Sequence, residues 1–239
     1  MNSRRGSAMS LIYLIRHGEI TQSLARRFVG QTDLPLTDRG REQIVAVAGF
    51  LAGRGVGRLL CSPLSRCVQS AGIIGAALGI VPESTPDLRE IALGTWEGLT
   101  VDEVRERFPG RYEARGRNLA GFRPPGGESF ADVQRRAWTT FEETTADLEE
   151  PLAIVAHGGV NRVILCRILG MPLENLFRLE QSYACINILH AGPESFRVSV
   201  MNFRAYEQHG FTDALGPLSS RAFRIDAVPV SDTEDSFKG

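Results

Sequence analysis

Two histidines stand at matching places in the chain. Arg16-His17-Gly18 follows the apolar run LIYLI, and His157-Gly158-Gly159 follows LAIVA. A third apolar run, RLLC, leads into Ser62, with Arg66 shortly beyond it. Ligands of open α/β sheets gather at the carboxyl ends of the strands, so this placement describes one pocket if the three runs are neighbouring strands. Two guanidiniums there would present planar forks of donors that match phosphate oxygens, and they stay charged at any relevant pH. Helix starts after Ser62 and Gly158 would add backbone N–H groups and a partial positive charge. A phosphate monoester is the guest such a pocket suits. Once its charge is neutralised, a neutral imidazole nitrogen can attack phosphorus in line with the leaving oxygen. The second imidazole can donate to a phosphoryl oxygen, and a carboxylic acid must protonate the departing alkoxide.

The elements that must position these groups read as an α/β fold with a largely parallel sheet, since apolar strands alternate with helices. Leu11–Arg16, Arg58–Cys61 and Leu152–Ala156 are short apolar strands, and Ala184–His190 and Phe196–Phe203 close the sheet. Helices are expected over Arg41–Leu51, Leu64–Leu78, Thr100–Phe108, Ser129–Leu148 and Val160–Leu169. Pro109-Gly110 stops the third of these, and residues 85–98 form a loop with a compact turn. The domain is expected over residues 9–210. From 211 to 239 the sequence is polar and irregular, which reads as a disordered or loosely docked tail.

Composition excludes several classes. A chain of 239 residues with 43% hydrophobic content is long enough for one sizeable core. The formal charge of -1 offers no long-range attraction to nucleic acid or anionic lipid, so neither is an expected partner. No run approaches the ~20 apolar residues of a membrane span, and the run after the basic start is too short for a signal peptide. Cys61, Cys67, Cys166 and Cys185 form no CxxC pair, which suits reduced thiols. The expectation is a soluble, cytoplasmic protein acting on a small phosphorylated metabolite, with a homodimer left open.

The ordered segments LIRHGE, GQTDLPLTDRG, CSPLSRCVQSA, LREIALGTWEG, PPGGES and IVAHGG carry a family resemblance. RHG alone is weak; the set, in this order and spacing from about Leu11 to Asn202, resembles the histidine phosphatase superfamily, also called the phosphoglycerate mutase-like family. The resemblance implies a three-layer α/β/α sandwich, no cofactor and no metal. It implies that His17 is the phosphorylated nucleophile, that Arg16, Arg66 and His157 hold the phosphoryl group, and that Glu90 is the proton donor. Glu97, in the same turn, is the substitute acid. Gly30 and Gly158 fall in the substrate-binding segments, as does Ser23, which stands where the family's first motif often has asparagine. Glu19 is expected to order the loop after His17, and His190 and His209 to be structural.

Water as acceptor gives a phosphatase; a second hydroxyl on the same molecule gives a mutase. LREIALGTWEG and PPGGES look like the phosphatase branch, and GQTDLPLTDRG with FRLEQSYACINIL resembles the α-ribazole phosphatases. Arg105, Arg107, Arg111, Arg115, Arg117 and Arg123 leave a second anionic site, as a mutase needs, open. A binding module that has lost catalysis is the reading from another class, opposed by the presence of all five expected residues. A metal site built from His17, His157 and Glu90 uses the right ligand types, but the adjacent arginines would repel the cation.

Overall fold

A computed structural model of the chain describes residues 10–21, 27–192 and 195–207. Ser23, His209 and the tail expected over 211–239 lie outside the described residues. Six strands form one sheet in the order β3-β2-β4-β1-β5-β6. They are β1 (Ser10–Arg16), β2 (Arg58–Cys61), β3 (Glu83–Ser84), β4 (Leu152–Ala156), β5 (Ile186–Ala191) and β6 (Phe196–Phe203). The first four run parallel to one another, while β5 and β6 are antiparallel additions at one edge. The sheet is mostly parallel, as the sequence led us to expect.

Period-two alternation splits the strands between two cores. Ile12, Leu14, Leu152, Ile154 and Ala156 face one side, against α3 (Val101–Arg107), α5 (Phe130–Thr145) and α6 (Gly158–Ile168). Tyr13, Ile15, Ala153 and Val155 face the other, against α1 (Asp38–Leu51) and α2 (Ser65–Leu78). Helices therefore cover both faces, and the fold is a three-layer sandwich. Strand β4 is buried along its whole length, which explains the unbroken apolar run LAIVA.

The register decides where the functional residues emerge. Arg16 pairs with Ala156, and Cys61 pairs with Val155. His17, Ser62 and His157 therefore leave the sheet side by side, and the ladder continues into them through His17 N–H to Ala156 O (3.1 Å) and Ser62 N–H to Val155 O (3.0 Å). The supposition that the three strands are neighbours holds.

Two differences from the expected elements have clear causes. A short helix α4 (Arg111–Arg117) follows α3, where only a break was read; none of its residues is buried, so it shows no apolar period. Gly110, at φ 74°, makes the turn between the two helices. Helix α6 starts at Gly158, two residues before the expected Val160, with His157 as its N-cap.

The PPGGES segment ends on a capping box. Ser129 Oγ accepts from Asp132 N–H (3.2 Å), and the Asp132 carboxylate accepts from the Ser129 backbone N–H (3.0 Å). Ser129 is buried, so water cannot replace the cap. Ser129→Ala should lower stability by about 1 kcal/mol and the melting temperature by roughly 2–4 °C, while Ser129→Thr keeps most of the difference. Thermal unfolding of both variants checks this, and equal melting temperatures for Ala and wild type would show the cap to be idle.

Candidate active site

His17 follows β1 directly, and its ring is almost fully buried. Nδ1 lies 2.8 Å from the carbonyl oxygen of Gly18. A carbonyl oxygen only accepts, so Nδ1 carries the proton and Nε2 keeps its lone pair. Burial, with Arg16 and Arg66 nearby, holds this imidazole well below the usual histidine pKa. His17 is thus neutral at pH 7, the form a nucleophile needs.

Arg66 sits in the first turn of α2 and is 1% exposed. One Nη donates to Gly30 O (2.7 Å), the other to Thr32 O (2.8 Å), and Nε donates to Nδ1 of His157 (3.2 Å). Gly30 adopts φ 50°, and a Cβ there would stand 2.6 Å from Glu97 Oε1, so only glycine turns its carbonyl towards Arg66 at this point.

His157 is fully buried, its ring centroid 5.2 Å from that of His17. Since guanidinium only donates, His157 Nδ1 accepts, and Nε2 carries a proton that goes to Ser62 Oγ at 2.8 Å. Burial, and then His17 and the two arginines, keep this ring neutral as well. In this arrangement Nε2 faces Ser62 Oγ rather than the cleft. The ring instead stands behind the pocket wall and orients Arg66.

Arg16, the last residue of β1, donates to Gln181 O (2.6 Å), and its guanidinium carbon lies over the ring of Tyr183, 4.0 Å from the centroid. Its Nε is buried with no hydrogen-bond partner among the described residues. Arg16 as a whole lines the cleft, so this unmet donor lies in its wall.

The two candidate acids separate cleanly. Glu90 lines the cleft, with Oε2 accepting from Gly159 N–H (3.0 Å) and Oε1 from Ile91 N–H (2.9 Å). A Cβ on residue 159 would fall 2.3 Å from Glu90 Oε1, so the glycine makes room for this carboxylate at the helix start. Glu97 instead binds Gln31 N–H (2.9 Å), Leu93 N–H (3.2 Å) and the Thr32 hydroxyl (2.7 Å), and so shapes the loop that feeds Arg66. Glu19 orders its own loop by accepting from the Thr37 hydroxyl at 3.1 Å.

These groups open into a cleft of about 280 Å³ whose wall includes Arg16, His17, Gly30, Arg66, Glu90 and Gly158. Sequence reasoning missed Arg162, Phe177 and Tyr183 in the same wall. Arg162 had a readable signal: it lies four residues after Gly158, on the same face of α6, once that helix is seen to begin at Gly158. Of the six arginines between 105 and 123, Arg115 alone lines the cleft. Arg105 pairs with Glu113 (3.0 Å), Arg123 grips Asp132 through two contacts of 2.6 Å, and Arg111 stacks on Phe122. Among the described residues, no group of three or more His, Cys, Asp or Glu is placed to hold a metal, and no helix is long and apolar enough to cross a membrane.

Fold and site together define an α/β protein built to handle a phosphoryl group with imidazole and guanidinium. The chain belongs to the histidine phosphatase superfamily, branch 1, whose family model matches residues 12–204. It is an enzyme of that family, with phosphatase or mutase-like activity. It is 35% identical over 172 residues to a glucosyl-3-phosphoglycerate phosphatase of Mycolicibacterium vanbaalenii, covering 69% of this chain and 76% of that one. It is 33% identical over 175 residues to a probable phosphoglycerate mutase of Yersinia pestis, covering 72% and 80%. Among solved structures, a mycobacterial glucosyl-3-phosphoglycerate phosphatase superimposes with a TM-score of 0.74 at 30% identity, covering 82% of this chain and all of the other. The α-ribazole phosphatase of Shigella flexneri gives 0.75 at 25%, covering 81% and 96%.

The depressed histidine pKa values set a pH dependence. Near pH 6.5 the unfolded chain's imidazoles take up protons that the folded His17 and His157 refuse, so stability falls as pH drops below that point. Between pH 7 and 5.5 each histidine should account for a loss of about 1 kcal/mol. Denaturant titrations should show His17→Asn losing less over this interval than the wild type, by that amount. An identical pH slope in the two proteins would mean that His17 protonates as freely folded as unfolded.

Proposed function

We propose that the protein is a phosphomonoesterase that takes the phosphoryl group of a small ester onto Nε2 of His17 and passes it to water. The observation that carries this reading is the contact His17 makes through Nδ1, 2.8 Å from the Gly18 carbonyl oxygen. The ring proton is held on the Gly18 carbonyl, so the lone pair of Nε2 is left for the arginine-lined cleft. Arg16 and Arg66 bind the non-bridging oxygens and stabilise charge spread over them in the transition state. His157 acts through Arg66, fixing its Nε.

In the first step the Nε2–P bond forms and the P–O bond to the leaving group breaks, with Glu90 supplying the proton to the departing oxygen. In the second, Glu90 takes a proton from water, the water oxygen bonds to phosphorus, and the N–P bond breaks to release inorganic phosphate. His17 returns to its starting form. Each anionic intermediate stays beside fixed guanidiniums, so no large rearrangement is called for.

Two kinds of ester are supported by likeness. The segment FRLEQSYACINIL resembles the α-ribazole phosphatases, which points to α-ribazole phosphate, and the mycobacterial relatives point to a phosphorylated glycerate. The Yersinia relative's name supports a mutase as the second reading. Incubation with 3-phosphoglycerate separates the two activities: released phosphate supports the hydrolase, and exchange between the 2- and 3-isomers supports the mutase.

Two experiments test the mechanism. Hydrolysis of p-nitrophenyl phosphate should survive a chelator, and His17→Ala should lower it by at least roughly 10³-fold with loss of an acid-labile, alkali-stable phosphoenzyme. A phosphoenzyme that forms without His17 would move the nucleophile elsewhere. Glu90→Gln should slow alkyl phosphates by about 10²–10⁴-fold and aryl phosphates far less, because a phenolate leaves without help. The same loss on both ester types would take the acid's role away from Glu90.

A further inference from the structure

The segment from Gln181 to Cys185 grips Arg16 and His17 from one side. Gln181 O accepts from Arg16 Nη1 (2.6 Å), Cys185 O accepts from the Arg16 backbone N–H (3.0 Å), and Ala184 N–H donates to His17 O (3.0 Å). The segment is irregular, and Ala184 takes φ 53°, a strained value for a residue with a Cβ. Something other than a regular ladder must hold it in place.

A cluster of buried amides does so. Asn187 lies opposite Leu14 in the β1–β5 ladder and is fully buried. The β5–β6 register shifts between Ile186 and Ile188, and there the Asn187 side chain meets the backbone: its Oδ1 accepts from Asn202 N–H (3.1 Å). Its Nδ2 donates to Leu14 O (3.0 Å). These two backbone partners leave the amide one orientation. Gln181 then meets it head to head, Nε2 donating to Asn187 Oδ1 (2.8 Å) and Oε1 accepting from Asn187 Nδ2 (2.9 Å). Asn161 of α6 adds a donation to the same Oε1 (3.2 Å). Neither Gln181 nor Asn187 is part of the cleft wall. A buried amide pair stabilises no better than well-packed apolar side chains, but it fixes direction far more narrowly. What it fixes here is the residue whose carbonyl aims Arg16.

We propose that Gln181 and Asn187 are positioning residues for the phosphoryl site, their paired amides setting the Gln181 carbonyl and, through it, the direction of the Arg16 guanidinium. This rests on the reading that Arg16 binds the phosphoryl group. Being neutral, the amides orient the cation without cancelling its charge.

Binding of inorganic phosphate to the full chain, followed by phosphorus NMR, tests this without turnover. Gln181→Met keeps the length of the side chain and removes the amide, and it should raise the phosphate dissociation constant by about tenfold. Asn187→Leu breaks the pair from the β5 side and should act in the same direction. The deciding comparison is made in Arg16→Met. In that background Gln181→Met should weaken phosphate binding by less than about twofold, because the group it aims is gone. General loosening of the fold would instead lower the affinity equally with and without Arg16. That equal loss, or an affinity unchanged in both Gln181→Met and Asn187→Leu, would overturn the proposal. Failure of the phosphatase reading shows separately, as the absence of a phosphoenzyme at His17 in a wild type that binds phosphate.

Discussion

One buried guanidinium organises this molecule. Arg66 is removed from water without a carboxylate partner among the described residues, and its donors are met by two backbone carbonyls and a neutral imidazole. An ion pair would have stabilised it more directly, but a carboxylate there would also have cancelled the charge the site needs. Dipoles solvate the cation while leaving its charge available. The rest of the site follows from supplying those dipoles: Gly30 in a left-handed turn, Thr32 two residues later, and Glu97 beneath them holding Gln31 and Thr32 in place. The side chain of Gln31 then donates to Glu90 O (2.9 Å), so the loop that solvates Arg66 also sets the segment bearing Glu90.

The same constraint explains the division between the two histidines. Both are buried and neutral, but they hold opposite tautomers because their neighbours differ: a carbonyl acceptor beside His17, a guanidinium donor beside His157. One lone pair is thereby turned to the cleft and the other to Arg66. Identical residue types after similar strands thus meet different neighbours, a distinction set by hydrogen-bond partners alone.

Much of this was legible in the sequence. Short apolar runs located β1, β2 and β4, and the chemistry at their ends identified Arg16, His17, Arg66 and His157 as one group. Family motifs then added Glu90 and, with it, the ambiguity about Glu97. That ambiguity could not be settled from spacing, since both lie in one turn and only their partners tell them apart. Helix α4 escaped because a helix with no buried face has no apolar period, so Arg115 could be named only as one of six arginines that leave a second anionic site open. Arg162 was hidden by a two-residue error at the start of α6, where two glycines read as a turn although they open a helix. Tyr183 lies in an irregular segment, where Ala184 takes φ 53° and periodicity carries no information.

The stretch from Thr100 to Arg123 is fastened at both ends. An isolated bridge joins Arg27 to Thr100 at its beginning, and the doubly bonded Arg123–Asp132 contact secures its close. Between these anchors it contributes Arg115 to the cleft, while Arg16, His17, Arg66 and Glu90 lie outside the stretch. Residues between the anchors can therefore vary and reshape one wall of the cleft, while the groups at the strand ends stay where the sheet register puts them.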